Sequence, residues 1–263
     1  MSPLWRFALG AAAAALIALA ALRSRSLTKD GALAAWFVGA VTFGSLGIAG
    51  AGILLAFFVT SVTLTRFGQA TKRERLVDVA KTGPRDARQV FANGGVAALC
   101  AFAAFVAGSS GIGARCVVAF AGAFAAATAD TWGTELGSLL ASEPRSIFSW
   151  RPIPTGLSGG VTAVGTIAEA AGALFIATVA LLAGIGSFVA IAVAGFAGAL
   201  LDSLLGATAQ SLRWCPRCSR ATEMNPHVCG TPSNLVRGFA WLENDAVNLA
   251  ASLCGAAIGF VLG

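Results

Sequence analysis

Phe120-Ala-Gly-Ala-Phe-Ala-Ala-Ala-Thr-Ala-Asp130-Thr131 and Phe196-Ala-Gly-Ala-Leu-Leu-Asp202-Ser203 are two apolar stretches of one chain that end alike. About forty residues upstream of each stands a second matching signal, Asn93-Gly94-Gly95-Val96 and Ser158-Gly159-Gly160-Val161, each opening an apolar run. An aspartate at the edge of hydrocarbon costs several kcal/mol unless a partner or a cation compensates it. Two in a repeated frame point to a site.

The surrounding composition gives the class. Of 263 residues, 57% are apolar and only 11% charged, too little charge to cover a soluble domain of this size. Runs of roughly twenty apolar residues recur along the chain, each long enough to cross about 30 Å of hydrocarbon. The reading is an all-α, polytopic transmembrane helix bundle, a single integral membrane domain over 1–263. Abundant alanine and glycine suit helices that approach closely in lipid. The run from Trp5 to Leu22 lacks a strongly basic start and a clear cleavage site, so it reads as a retained helix. The net charge of +6 is a topology signal and not a nucleic-acid footprint, because the basic residues are confined to particular loops.

Eight spans are expected, at roughly 5–22, 31–45, 49–66, 92–108, 114–132, 160–179, 186–206 and 239–261. The break between the second and third rests on glycine density from Gly44 to Gly52. Loops after the odd-numbered spans hold Arg23, Arg25 and Lys29; Arg66 through Arg88; Arg145 and Arg151; and Arg213, Arg217, Arg220 and Arg237. Those after the even-numbered spans carry almost no charge until Arg115. The positive-inside rule then puts the charged loops in the cytoplasm of a cell (inner) membrane protein with both termini outside. Spans four–five and six–seven form a parallel internal repeat, which gathers the glycine pairs and the aspartates around one cytoplasmic cleft. Glu169, about ten residues into span six, is the one acid expected at depth.

At that mouth the residues suit cation chemistry. A loop entered at Gly133 would let Glu135 converge with Asp130, and Asp245 and Asn248 share a helix face. Carboxylates and an amide at one depth are hard oxygen ligands for Mg²⁺, with Asp130, Asp202 and Asp245 as ligands and Glu135 and Asn248 beside them. Interfacial capping explains Asn93, Ser158 and Asn244 equally well, but not an aspartate at a helix C-terminus, where it opposes the dipole. Gly94-Gly95 and Gly159-Gly160, read as helix starts, would expose backbone N–H groups as a phosphate cradle, with helix packing as the plainer alternative.

The last cytoplasmic loop, 207–238, carries Cys215-Pro-Arg-Cys218 and His227-Val-Cys229. CxxC followed by HxC is a Cys₃His zinc pattern, and four protein ligands leave no open position, so such a zinc is structural. Free thiols are the alternative. Cys100, Cys116 and Cys254 read as packing residues within spans.

Taken together, Arg88-Gln-Val-Phe-Ala-Asn-Gly94, Ala129-Asp-Thr-Trp-Gly-Thr-Glu-Leu-Gly137, Ile153 through Thr166, Leu201-Asp-Ser-Leu-Leu-Gly-Ala-Thr-Ala-Gln210 and Asn244-Asp-Ala-Val-Asn248 resemble the DUF92 or TMEM19-like integral membrane family. Its plant and cyanobacterial members include phytyl-phosphate kinase. The resemblance implies phosphoryl transfer from a nucleoside triphosphate to an isoprenyl (phytyl-like) monophosphate. Two departures stand out: Ser158 replaces an acidic residue and Glu169 a small one.

A lipid phosphate has a second pKa near 6, so its oxygen needs no strong general base at neutral pH. The obstacle is bringing two polyanions together, which calls for Mg²⁺ and for basic groups such as Lys29, Arg66, Arg88 and Arg237. No Walker motif is present. A CTP-dependent lipid nucleotidyltransferase, a lipid or solute transporter built from parallel repeats, and a non-enzymatic scaffold are the competing readings.

Overall fold

The computed structural model describes residues 3–76, 83–140 and 143–263, so 77–82 of the basic loop between Arg66 and Arg88 lie outside the described residues. Eight helices follow in order: α1 (Pro3–Arg23), α2 (Lys29–Arg66), α3 (Gln69–Leu76), α4 (Ala87–Ala107), α5 (Gly111–Leu140), α6 (Ala163–Leu182), α7 (Phe188–Thr208) and α8 (Asn244–Leu262). All except α3 are long and apolar enough to cross a membrane, and the protein is an integral, multi-pass membrane protein.

Seven such helices make eight passes because α2 folds back on itself. A straight helix of its 38 residues would run about 57 Å, nearly twice the hydrocarbon thickness. At Gly47 the backbone turns to φ 64° and ψ −147°, a conformation that only glycine adopts without strain. The two arms then run antiparallel. Ala35 and Phe58 pack on one cluster with Ala18 and Ala21 of α1, and Arg66 donates to the Ser24 carbonyl (2.6 Å) and to Ser26 Oγ (2.8 Å). The expected second and third spans are these two arms.

At the centre stands α5, packed against α4, α6, α7 and α8 and buried over most of its apolar length. Here small residues replace side-chain interdigitation. A Cβ on Gly122 would lie 2.5 Å from the Gly255 carbonyl of α8, and one on Gly198 would lie 2.9 Å from the Ala251 carbonyl. Both repeated Ala-Gly-Ala frames therefore seat α8, one helical turn apart. That offset explains why Asp130 follows its glycine by eight residues and Asp202 by only four. At 1.5 Å per residue, the extra four residues span about one turn, and the two aspartates reach the same depth. Within both α4–α5 and α6–α7 the first helix leaves the charged end of the bundle and the second returns to it.

Three boundaries correct the expectations. Asn93-Gly94-Gly95 does not open a helix; α4 begins at Ala87, behind a capping box in which Asp86 and Gln89 satisfy each other's backbone amides. No loop is entered at Gly133, since α5 continues to Leu140. The stretch at Ser158–Gly160 precedes α6 as a loop and a short strand, and Thr162 caps the helix. Outside the helices, β1 (Arg145–Ser146) pairs with β2 (Gly160–Val161). The Cys/His loop folds into an antiparallel sheet in the order β4 (Arg220–Thr222), β3 (Leu212–Cys215), β5 (Asn234–Arg237), which composition alone did not announce.

Candidate functional site

Ala129, Ala173 and Ala199 pack together where α5, α6 and α7 meet. One to four residues nearer the charged end, the same three helices present Asp130, Glu169 and Asp202. Their carboxylates lie near enough for the charges of Asp130 and Glu169 to act on Asp202, and that of Asp130 on Glu169. Glu169 and Asp202 are 7% and 9% exposed, and each holds one carboxylate oxygen, Oε2 and Oδ2, buried with no hydrogen-bond partner. Buried acids left this way are costly unless a cation joins them. Glu169 is no mid-membrane acid. It sits six residues into α6, against Gly133, whose missing Cβ makes room for it. Its neighbours on the adjacent helices are the other two acids of the layer.

Asp245 and Asn248 stand on the first turns of α8 and are half-buried. Because the Ala251 carbonyl lies against Gly198, Asn248 falls at the depth of Asp202. Deeper by one turn, Ser252 donates to the Ala92 carbonyl of α4 (3.1 Å) and locks the level of the two helices.

Glu135 belongs to a different group. It accepts from Thr65 Oγ1 (2.6 Å) and pairs with Lys72 of α3, whose ammonium also reaches the Leu64 carbonyl (2.6 Å). Its charge also acts on Asp130 and on Arg85, whose guanidinium donates to Thr65 (3.4 Å) and is otherwise pulled down by burial. The convergence of Glu135 and Asp130 expected from a loop at Gly133 is replaced by this Lys72–Glu135 pair.

On the opposite flank, Glu223 of the Cys/His loop reaches Ser158. It accepts from the Ser158 amide (2.7 Å) and hydroxyl (3.1 Å) and from Gln210 Nε2 (2.9 Å). Burial pushes its carboxyl upward, against the Ser158 bonds, Arg237 and Gln210, and its charge acts on Asp202. A carboxylate from another loop thus meets Ser158. Arg237 donates to the Gly206 carbonyl (2.7 Å) and keeps a buried Nε without a partner.

The glycine cradle is not built. Gly94 lies two turns inside α4, where a Cβ would meet Val38 at 3.2 Å, and Gly95 faces Phe91. Gly159, at φ 82°, packs on the Ala207 backbone, and Gly160 on Ile153 and Pro144. These glycines pack against neighbouring segments, and none of them is the first residue of a helix. Asn93 is spent inside its helix, donating to the Gln89 carbonyl (2.9 Å). Lys29 and Arg88 are exposed, as is Asn244, and none joins the acid layer. Arg66 closes the α2 hairpin. Lys72, Arg85, Gln210 and Glu223 were missed, since each stands among other polar residues at a helix end, in a short helix or in a loop, and its partner is distant in sequence.

Cys215, Cys218, His227 and Cys229 converge with their ligand atoms all within 4.8 Å of one another. Cys215 and Cys229 Sγ are 3.6 Å apart, the edge of a tetrahedron with metal–sulfur bonds of about 2.3 Å. Bonds from Thr231 and His227 hold the Cys229 thiol down at about 5, while Cys218 beside it is pushed up to about 11. The donor set fits zinc. The acid layer is open by comparison: among the described residues, only the Cys/His group brings three such ligand atoms so close. That openness fits Mg²⁺, which usually takes one or two carboxylates and completes its shell with water and phosphate.

A family model described as integral membrane protein DUF92 matches residues 12–256. Protein PGR of Arabidopsis thaliana is 31% identical over 96% of this chain and 94% of its own length. An uncharacterized membrane protein of Synechocystis is 28% identical over 92% and 85%. Protein VTE6, chloroplastic, of Arabidopsis thaliana is 22% identical over 99% and 72%. No solved structure matches.

Proposed function

The chain belongs to the DUF92 family of integral membrane proteins, and from that premise we propose that it is a lipid phosphokinase acting at the charged end of the bundle. It would transfer the γ-phosphoryl group of a nucleoside triphosphate to an isoprenyl (phytyl-like) monophosphate. The resemblance to a family whose members include phytyl-phosphate kinase supports the substrate class. The observation that carries the reading is the layer of Asp130, Glu169 and Asp202, with two buried carboxylate oxygens lacking partners.

Asp130 and Asp202 would hold Mg²⁺, with Asp245 and Asn248 completing the rim. Bound there, the ion would neutralise the nucleotide phosphates. An oxygen of the lipid phosphate attacks the γ-phosphorus, the bond to the β-phosphate oxygen breaks, and nucleoside diphosphate leaves. The attacking oxygen is already largely anionic, so no side chain needs to take its proton. Arg237 and the Lys72–Arg85 group flank the layer and offset charge as the two polyanions meet. Zinc on Cys215, Cys218, His227 and Cys229 would be structural, fixing the loop that carries Glu223. By the positive-inside rule this end faces the cytoplasm. A transporter reading relied on an acid at mid-membrane, and Glu169 at the layer removes that support.

Purified protein in detergent, given isoprenyl monophosphates and each nucleoside triphosphate, should form lipid diphosphate and nucleoside diphosphate. Released pyrophosphate would assign a nucleotidyltransferase instead. Asp202→Asn should lower turnover by about a hundredfold to a thousandfold while the protein stays folded. Wild-type turnover in that variant would remove Asp202 from the mechanism.

A further inference from the structure

A cavity lies between α1, the α2 hairpin and α4, apart from the acid layer. Its cavity volume is about 100 Å³, and it is partly open to the surroundings. Its walls are apolar from Gly10 and Phe43 at one end to Ala21 and Leu27 at the other. Only three lining residues are polar, Arg85, Gln89 and Asn93, and all three come from the start of α4 or the loop before it. The cavity is therefore a greasy slot with a cationic mouth.

Its depth is informative. From Ala21 to Gly10 the slot follows α1 for eleven residues, about 16 Å at 1.5 Å per residue. One leaflet of hydrocarbon is about half of 30 Å. At the far end α1 and α4 close on each other through Phe7 and Phe105, whose rings stack edge to face at 5.4 Å. At the near end they stay apart. There the loop before α4 is strapped to the α1–α2 loop, with Thr28 N donating to the Arg85 carbonyl and Arg85 N to the Ser26 carbonyl, each at 3.0 Å. The strap fixes Arg85 over the mouth. Among the described residues, the one acceptor its guanidinium reaches is Thr65 Oγ1, at a long 3.4 Å. A half-buried guanidinium at the edge of an apolar slot one leaflet deep suits an anionic head on a single hydrocarbon chain.

We propose that this slot holds the hydrocarbon chain of the lipid substrate, with its phosphate on Arg85 at the mouth. Glu135, which touches Thr65 and Lys72 and acts electrostatically on both Arg85 and Asp130, links the mouth to the acid layer. The occupant's identity rests on the lipid-phosphate reading above; the slot and its cationic mouth do not. The far end makes a chain-length ruler: Ala51 lines the slot near the Gly47 turn, and Ala35 lines it near the mouth.

The test measures binding by native mass spectrometry, without nucleotide, using phytyl monophosphate, geranyl monophosphate and phytol. Arg85→Gln should weaken both phosphates about tenfold and leave phytol unchanged. Ala51→Phe should weaken phytyl monophosphate about tenfold and spare the shorter geranyl compound, whereas Ala35→Phe should weaken both. Thermal melts confirm that each variant is folded. Dioleoyl phosphatidic acid, with two chains, should compete poorly; equal competition would overturn the single-chain slot, as would unchanged binding in folded Ala35→Phe and Ala51→Phe. Chain-length-dependent binding without any phosphoryl transfer would sustain the slot and overturn the kinase reading. Transfer with binding indifferent to these variants would do the reverse.

Discussion

The two halves of the bundle are packed by opposite means. In α5 to α8, backbone meets backbone: Gly122 on Gly255, Gly172 on Ala129, Gly195 on Ala125. In α1, α2 and α4, bulky rings meet at one end, Phe7 with Phe105 and Phe43 over Gly10, and a slot remains below them. Lipid tails are as apolar as leucine, so close approach of small residues is what drives helices together in a bilayer. The half that relies on it most holds three acids in one layer; the other, where Gly39 on Ala14 is the close contact, keeps an apolar slot one leaflet deep. Rigidity goes with the proposed chemistry and looseness with the proposed binding.

The sharpest way to break this contrast is to add a side chain where backbones touch. Gly255→Leu would drive carbon into the Gly122 carbonyl, 2.5 Å from a Cβ. The cost should be about 3 kcal/mol or more, read as loss of monodisperse protein in detergent. A bulky residue at Ala51 in the loose half should leave the melting temperature within a few degrees.

Next in size is the metal. Protein purified without chelator should contain about one zinc per chain, lost in Cys218→Ser, and that variant should melt well below wild type because structural zinc contributes folding energy directly. Metal-free thiols at full stability would remove the zinc. The effect should stay in the compact half, leaving phytyl monophosphate binding in the slot unchanged.

A smaller effect concerns pH. Burial raises the Glu223 carboxyl above the ordinary glutamate value of 4.5, with Asp202 and Arg237 as its charged neighbours. A raised folded-state pKa means the folded protein holds the proton more tightly than the unfolded chain. Stability is then highest below about 4.5 and falls as pH rises from there through the folded value. Glu223→Gln should flatten that part of the melting profile; an unaltered slope would show that Glu223 is not its source. The smallest change is Ser252→Ala, which removes one bond to the Ala92 carbonyl and should cost about 1 kcal/mol, measured by thermal melting.

How much of this was written locally can be judged residue by residue. The α2 reversal was legible because glycines crowd Gly44 to Gly52 in an otherwise unbroken apolar run, and Gly47 is where the chain turns. The Cys/His cluster was legible because zinc spacing is a short-range property. The start of α4 was misplaced although its signal was present: Asp86 and Gln89 stand three apart as a capping box, whereas the Gly-Gly pair drew attention inward. The acid layer was half legible. Asp130 and Asp202 announced themselves by ending apolar runs, but the depth of Glu169 depended on where α6 begins. Lys72, Arg85 and Glu223 carry no local mark, because their partners lie on segments far away in sequence.

The turns at the uncharged end have a consequence of their own. There the chain reverses at Gly47, at Gly108–Ser110 and at Gly184–Ser187, each a short turn without a charged residue. The basic side chains nearest that end are Arg6, whose guanidinium donates to the Ser45 carbonyl (3.5 Å), and Arg115, exposed on the first turns of α5. The acid layer and the mouth of the slot both lie at the opposite end, so a lipid whose phosphate begins in the leaflet on this side reaches them only after it is turned over. Activity measured in vesicles should therefore depend on which leaflet received the substrate.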